Sequence, residues 1–249
     1  INNFYVMPKS EARAQLGLAA DEQVVLYVGR FDARKGIETL VRAFAQLKHQ
    51  AKYQQAEGSS KLRLVIVGGS EPGQSDGIER QRIEGIVQEL GIAAETWFAG
   101  RVGHEHLPTY YTAADVCVIP SHYEPFGLVA IESMACGTPV VASEVGGLKF
   151  TVVPEETGLL VPPQNQTAFA DAIDRILTDD IWARKLRRQA TLRVQQNFSW
   201  TGVAIQLSDL YRRLLAQSIM HPSFNLGQMT QPVAQPRETT LTEKLVKAS

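Results

Sequence analysis

Short apolar runs of strand length alternate with segments of helical periodicity through most of the sequence, and this pattern constrains the fold more than any other feature. Such alternation is typical of repeated βαβ units on a parallel sheet. Most runs are continuous in Val, Ile and Leu, so both faces of the sheet are expected to be covered by helices. The pattern predicts an α/β fold with about six strands, at 23–28, 62–67, 96–99, 116–119, 139–142 and 158–161.

Helices are predicted between and after these strands. The first has a stripe of apolar side chains at helical spacing. Gly91 is expected as the C-terminal cap of the second helix, and Ser199 as the N-cap of the last. The predicted ranges are 36–48, 78–90, 105–114, 127–136, 167–177, 181–196 and 200–217.

The 249 residues fall between one and two domains of average size. Residues 23–218 carry the strand and helix signals and are predicted to form one domain. Residues 219–249 contain several prolines and few bulky apolar side chains, so a disordered tail is predicted there. Because the sequence begins with Ile1 and lacks an initiating Met, its first residues are expected to be the middle of a longer chain.

The overall charge provides no long-range field for a polyanionic partner. The chain has 25 Lys and Arg against 26 Asp and Glu, which argues against nucleic-acid binding. Cys117 and Cys136 lie in apolar runs and are expected to be buried thiols, which favours a reducing compartment. No run approaches the roughly 18 apolar residues that a membrane span needs, so a cytoplasmic location is predicted.

The loop after the first predicted strand, from Gly29 to Gly36, carries two cations and leads directly into a helix. Ligands of parallel α/β sheets bind beyond the carboxyl ends of the strands, and helix N-termini favour anions. Arg30 offers a planar fork and Lys35 a compact charge. The pair is therefore a candidate diphosphate site; two solvated loop cations are the alternative.

Gly68 and Gly69 follow the second predicted strand, where glycine allows the backbone to approach a ligand closely. The sequence has no Gly-x-Gly-x-x-Gly after a strand and no Gly-x-x-x-x-Gly-Lys-Ser/Thr. Their absence argues against dinucleotide binding and P-loop hydrolysis.

A second candidate segment follows the fourth predicted strand. Glu124 lies in a turn, and Phe126 and Gly127 open a helix whose first N–H groups are free to face an anion. Leu128 and Glu132 share one face of that helix, so Glu132 is expected to point toward the same crevice as Glu124. Carboxylates accept hydrogen bonds from hydroxyl groups, which favours a ligand that carries sugar or ribose beside its phosphates.

Together these segments resemble the signature of the retaining glycosyltransferases of family 4, which have the GT-B fold. Glu124 and Glu132 match a Glu-x7-Glu motif, and further blocks are similar in the same order, at 29–36, 98–102, 114–116, 137–141 and 156–161. The resemblance extends from about Val24 to Trp200. It implies a Rossmann-like sheet that forms the C-terminal, donor-binding half of a GT-B enzyme, with residues 1–22 as an interdomain linker and the helix from Trp200 crossing back toward the other half.

The resemblance also implies roles for individual residues. Arg30, Lys35 and Glu124 are expected to act in catalysis, the cations on the donor diphosphate and the carboxylate on the transferred sugar. Glu132 is expected to bind ribose hydroxyls and the backbone near Val102 to meet the base. The implied donor-binding set is Gly29, Gly68, Arg101, Val102, Phe126, Gly127, Leu128 and Glu132.

No cofactor and no metal are implied, and a nucleotide-diphospho-sugar is the co-substrate. UDP-glucose is the expected donor, because the stretches 124–128 and 145–148 are most similar to the sucrose-phosphate synthase and inositol-phosphate transferase branches. The acceptor, a sugar, sugar phosphate or polysaccharide, is expected to bind through the N-terminal half, without which the fragment is expected to be inactive. One alternative is a nucleotide-sugar binding module without transfer activity. The other is a nicotinamide-dependent enzyme, which is less favoured because the sequence lacks the glycine fingerprint of dinucleotide binding.

Two clusters of basic or imidazole side chains lie outside the motif blocks. His104 and His106 flank Glu105 without a third ligand at metal spacing, so a solvated helix start is favoured over a metal site. One face of the helix predicted at 181–196 is basic. A solvated face is the default interpretation, and a peripheral contact with anionic lipid is the alternative; the side chains are Arg184, Lys185, Arg187, Arg188 and Arg193.

Overall fold

The computed structural model describes residues 3–53 and 62–220. The chain divides into two compact units, Ile1–Ala204 and Ile205–Ser249. The first holds a parallel β-sheet and its flanking helices, and the described part of the second is helical. Of the tail predicted at 219–249, the residues after Met220 lie outside the described residues.

The sheet has six strands, in the order β3-β2-β1-β4-β5-β6, and every neighbouring pair is parallel. The predicted strands are confirmed, with bounds that differ by one residue at β3 and β5. They are β1 (Gln23–Val28), β2 (Leu62–Val67), β3 (Thr96–Gly100), β4 (Val116–Ile119), β5 (Val140–Ser143) and β6 (Gly158–Val161).

All seven predicted helices are present, with bounds shifted by up to three residues. Shifts of three residues occur at the start of α3 and at the end of α9. Helix α3 begins at Ser75, where the absent side chain of Gly77 makes room for the Glu71 carbonyl oxygen. The helices within the described ranges are α1 (Lys9–Leu16), α2 (Ile37–Lys48), α3 (Ser75–Glu89), α4 (Leu107–Ala113), α5 (Leu128–Ala135), α6 (Leu148–Thr151), α7 (Gln166–Thr178), α8 (Asp180–Asn197) and α9 (Trp200–Met220).

Apolar side chains cover both faces of the sheet, as the continuous apolar runs predict. Val25 and Tyr27 of β1 join a cluster with α2 and α7, while Val24 and Leu26 join a second cluster with α4 and α5. Successive strand side chains point to opposite faces, so each strand contributes to both clusters. The buried thiols predicted at 117 and 136 are also confirmed.

An ion-pair cluster around Asp115 fixes α1, a helix that the sequence pattern did not predict, to the amino ends of β1 and β4. The Asp115 carboxylate accepts hydrogen bonds from the Val24 N–H at 2.7 Å and from the Arg13 guanidinium at 2.9 Å, and it also pairs with Lys9. Arg13 is buried and donates to the Ala113 carbonyl oxygen at 3.1 Å. The linker role of residues 1–22 stays a prediction, but the residues around α1 pack on the sheet unit.

Replacing Asp115 by alanine is expected to destabilise the protein by about 3–5 kcal/mol, because Arg13 then remains buried without its counter-charge. The measurement is the free energy of unfolding from urea titration. Asp171→Ala removes an exposed aspartate of α7 and is expected to change that free energy by less than about 0.5 kcal/mol. Equal effects of the two substitutions would contradict the structural role of Asp115.

Candidate functional site

The strand order reverses between β1 and β4, and in open α/β sheets ligands bind beyond the carboxyl ends of strands at such a reversal. The loops after these two strands touch. Gly36 has φ +66°, and a Cβ added there would lie 2.0 Å from the Pro120 carbonyl oxygen. The His122 N–H donates to the Arg34 carbonyl oxygen at 2.7 Å. The two candidate segments are therefore held side by side at this crevice.

Lys35 and Glu124 meet across the crevice. The Lys35 ammonium donates to the Glu124 carboxylate at 2.7 Å, and the two side chains are 26% and 15% exposed. A charged pair that is partly shielded from water interacts more strongly than one on the open surface. The pair thus places a fixed cation and a fixed hydrogen-bond acceptor at the strand-order reversal.

Arg30 occupies a different wall of this region. Its carbonyl oxygen accepts a hydrogen bond from the Tyr27 hydroxyl at 3.0 Å. Its side chain lines a cavity of about 650 Å³ together with Arg34 and residues between 71 and 79, and neither Lys35 nor Glu124 lines that cavity. Of the predicted catalytic set, Arg30 is thus the member that lines this cavity.

The loop that carries these cations is held by Asp32. Its carboxylate accepts from the Arg34 N–H at 2.9 Å and from the Arg34 guanidinium at 2.6 Å. These hydrogen bonds lower the pKa of the Asp32 carboxyl well below its usual range. Asp32 thereby neutralises Arg34 and caps the short 3₁₀ turn Ala33–Lys35.

Gly68 makes room for the backbone of Gly29. The Gly29 N–H donates to the Val67 carbonyl oxygen at 3.0 Å, and a Cβ added at Gly68 would lie 2.2 Å from the Gly29 carbonyl oxygen. The structure therefore gives a packing reason for glycine at 68, separate from the ligand contact predicted for it.

The beginning of α5 faces the crevice with several groups open to solvent. Gly127 precedes the helix with φ +88°, and the first bond to its carbonyl oxygen comes from the Ala130 N–H. The Phe126 and Leu128 side chains are 52% and 61% exposed. The N–H groups that precede Ala130 have no intrahelical acceptor, so they can face an anion.

Gly146 and Gly147 contact the main chain of the Glu124 turn and support it, a role that sequence reasoning missed. The Gly147 N–H donates to the Glu124 carbonyl oxygen at 2.9 Å. Gly146 has φ +44°, and a Cβ added there would lie 2.2 Å from the same oxygen. The paired glycines after β5 were the available signal, although they do not reveal which loop approaches them.

Glu132 has partners that differ from those of Glu124. The Tyr111 hydroxyl donates to the Glu132 carboxylate at 2.8 Å, and His104 Nε2 lies 3.6 Å from its other oxygen. Burial is the main cause that raises the pKa of Tyr111. The ring of Phe4 packs against both His104 and Tyr111. The like-charge conflict expected between two carboxylates is thus relieved by separate partners.

Arg101 and Val102 line a cavity of about 380 Å³ after β3, with Gln15, His106 and Tyr110 among its other walls. The Arg101 side chain also lies against Gly69, at 3.1 Å from a Cβ built there. Arg101 and Val102 are thus the members of the predicted donor-binding set that line this cavity. Within residues 3–53 and 62–220, no group of three or more His, Cys, Asp or Glu is placed to hold a metal ion.

A family model described as glycosyl transferases group 1 matches residues 8–193. The chain belongs to the glycosyl transferases group 1 family. This confirms the resemblance that Glu124, Glu132 and the accompanying blocks carry. The expected Rossmann-like sheet of GT-B type is likewise confirmed.

Three examples illustrate the proteins to which this chain is similar over most of its length. A D-inositol 3-phosphate glycosyltransferase of Mycobacteroides abscessus is 41% identical over 84% of this chain and 43% of its own length. The structure of sucrose-phosphate synthase from Thermosynechococcus elongatus is 58% identical, with a TM-score of 0.74, over 87% of this chain and 51% of that one. The Anabaena protein HepE, solved with UDP-glucose, is 26% identical, with a TM-score of 0.70, over 85% and 55% of the two chains.

The chain spans about half the length of each of these three relatives. None of the helices in the described ranges combines the length and the apolar character that crossing a membrane requires.

Gly146→Ala is expected to destabilise the protein by about 1–3 kcal/mol, because the new methyl group meets the Glu124 carbonyl oxygen at a positive φ. Gly85→Ala is the matched control, since Gly85 is an exposed position within α3 where an added Cβ meets open space. That substitution is expected to stabilise the protein by up to about 1 kcal/mol. Urea unfolding measures both, and effects of the same sign would contradict the proposed support of the Glu124 turn.

Proposed function

We propose that this chain is the donor-binding half of a retaining hexosyltransferase that takes UDP-glucose. The observation that carries the proposal is the Lys35–Glu124 pair at the strand-order reversal, beside the open first turn of α5. The similarity to HepE, which was solved with UDP-glucose, and to a sucrose-phosphate synthase supports this donor.

In the proposed complex the donor diphosphate lies between the loop after β1 and the first turn of α5. Lys35 and Arg30 bind phosphate oxygens, and the N–H groups from Phe126 to Leu128 donate to the phosphate nearest the sugar. Glu124 accepts hydrogen bonds from sugar hydroxyls. Donor binding moves Lys35 partly from Glu124 to phosphate, so the carboxylate gains free acceptor capacity when the sugar arrives.

The nucleoside is proposed to lie toward β3. Glu132 accepts hydrogen bonds from ribose hydroxyls, and the Tyr111 hydroxyl, which already donates to this carboxylate, fixes its position. The base lies against the backbone near Val102, with Arg101 beside it. Gly29 and Gly68 have no side chains that would project toward the donor from the loops after β1 and β2.

The proposed chemistry retains the anomeric configuration through attack on the same face that the diphosphate leaves. The acceptor oxygen bonds to the anomeric carbon, the bond from that carbon to the phosphate oxygen breaks, and the departing phosphate takes the acceptor proton. The residues act mainly by stabilising the negative charge that develops on the diphosphate. No cofactor or metal takes part in this scheme.

The acceptor is proposed to be a sugar phosphate that binds mainly to a second domain. The support is indirect: the names of two relatives, D-inositol 3-phosphate glycosyltransferase and sucrose-phosphate synthase, contain a phosphorylated polyol or sugar. A chain of this span is expected to bind donor but not to transfer it alone. The second candidate function is a nucleotide-sugar binding module without transfer activity, and it is distinguished by assaying transfer in a protein that carries both halves.

Arg30→Ala and Lys35→Ala are each expected to lower the transfer rate about 10²- to 10³-fold, because they remove preorganised charge from the leaving diphosphate. The rate is measured from UDP-glucose in a two-domain protein that contains this sequence. Lys185→Ala removes an exposed lysine of α8 and is expected to leave the rate unchanged. Unchanged rates in both Arg30 and Lys35 variants would overturn the assignment.

Glu132→Gln is expected to weaken nucleotide binding about tenfold, since a carboxylate is the stronger acceptor for the ribose hydroxyls. Thermal shifts of the chain with UDP, ADP and GDP, and with their glucose conjugates, measure the affinities through the stabilisation that binding adds. Glu156→Gln, at an exposed position, is the control and is expected to bind as the parent chain does. A larger shift with ADP or GDP than with UDP would overturn the choice of donor, and no shift with any of them would overturn the site.

A further inference from the structure

A cavity of about 390 Å³ lies at the edge of the sheet opposite the donor crevice. Among the residues that the structure describes, four cationic and no acidic side chains line it; the cations are Lys9, Arg184, Arg187 and Arg188. The floor includes Cys136 and Gly137, which follow α5 and lead into the amino end of β5. This cavity is called the α1–α8 pocket below.

A single carboxylate, that of Asp115, forms ion pairs with three cations beneath the α1–α8 pocket. Asp115 pairs with Lys9, with Arg13 at 2.9 Å and with Arg187 at 3.5 Å. Within residues 3–53 and 62–220, Arg184 and Arg188 have no acidic partner within ion-pair distance. The pocket therefore has a local excess of positive charge, in a chain whose overall charge is near neutral.

Arg187 and Lys9, which both line the pocket, are incompletely compensated by the protein itself. The Nε atom of Arg187 is buried and has no hydrogen-bond acceptor in the described part of the chain. Burial, together with the charges of Arg187 and Arg13, lowers the pKa of Lys9 to about 8 against the opposing effect of Asp115. A cation held among other cations costs free energy, and an anion bound in the pocket would offset that cost.

We propose that the α1–α8 pocket binds a small phosphate-bearing anion, inorganic phosphate or a phosphate monoester. Arginine forks match phosphate oxygens in pairs, and Arg184 and Arg188 are one helical turn apart on α8, so both reach one ligand. The volume is in the range of small-molecule sites. Its concave shape favours a small anion over the flat surface of a membrane.

The pocket is distinct from the donor crevice. Helix α5 begins beside the crevice at Gly127 and ends beside the pocket at Cys136, and its eight residues span about 12 Å. A phosphate in the pocket therefore does not compete with the donor for space. The proposal goes beyond the transfer reaction and does not depend on it.

The test is calorimetric titration of the chain with inorganic phosphate at constant ionic strength. The double variant Arg184→Ser with Arg188→Ser is expected to bind phosphate at least about tenfold more weakly. Lys185→Ser is the matched control, because it removes a charge from the same exposed stretch of α8 but does not line the pocket. It is expected to bind as the parent chain does. Since Arg184 and Arg188 are exposed, the double variant is expected to unfold at the parent temperature.

An Arg30→Ala arm separates the pocket from the donor crevice, and this variant is expected to retain phosphate binding. Three outcomes would overturn the proposal: no measurable phosphate binding by the parent chain, equal weakening by Lys185→Ser, or loss of binding in Arg30→Ala alone. Vesicles containing phosphatidylglycerol form a further arm. Capture by these vesicles without binding of free phosphate would assign the cations to a membrane surface and would also overturn it.

Discussion

The contact between the loops after β1 and β4 is the constraint on which the rest of the candidate site depends. The two strands are neighbours where the sheet reverses its order, so their loops diverge unless something joins them. Gly36 joins them because it has no side chain to separate its backbone from the Pro120 carbonyl. Lys35, the adjacent residue, is thereby delivered to Glu124. A larger residue at 36 would separate Lys35 from Glu124 even in the absence of a ligand.

The two edges of the sheet are stabilised by different physics. At the carboxyl edge, glycines and main-chain hydrogen bonds bring loops together and leave polar side chains near solvent. At the amino edge, Asp115 pairs with the buried Arg13 and the partly exposed Lys9, and so fixes a helix by charge. This division explains why a short Ala-Asp-Val block accompanies the ligand-binding blocks although it lies far from the crevice: it anchors α1, and α1 supplies one wall of the cavity beside Val102.

Most of the fold was predictable, because continuous apolar runs identify buried parallel strands and the helices between them show apolar stripes. Helix α1 was not predictable from its pattern, since it buries only Ala12 and Arg13 and is held by a charge that lies 102 residues away in the sequence. Residue types and spacing suggested Lys35 and Glu124 as candidates, and the structure pairs them. Three other features depend on tertiary packing, which local sequence does not encode: the contact of Gly146 with the Glu124 turn, the cavity that Arg30 lines, and the partners of Glu132.

The ring of Phe4 supports the contacts of Glu132, because it packs against His104 and Tyr111, and both of these side chains contact the Glu132 carboxylate. A position near the start of this sequence is thus coupled through an imidazole and a phenol to a proposed nucleotide contact 128 residues later. In a set of related sequences, residues 4, 104 and 111 should therefore vary together rather than independently. A change of aromatic size at one of them calls for a compensating change at another if the geometry of the carboxylate is to be kept.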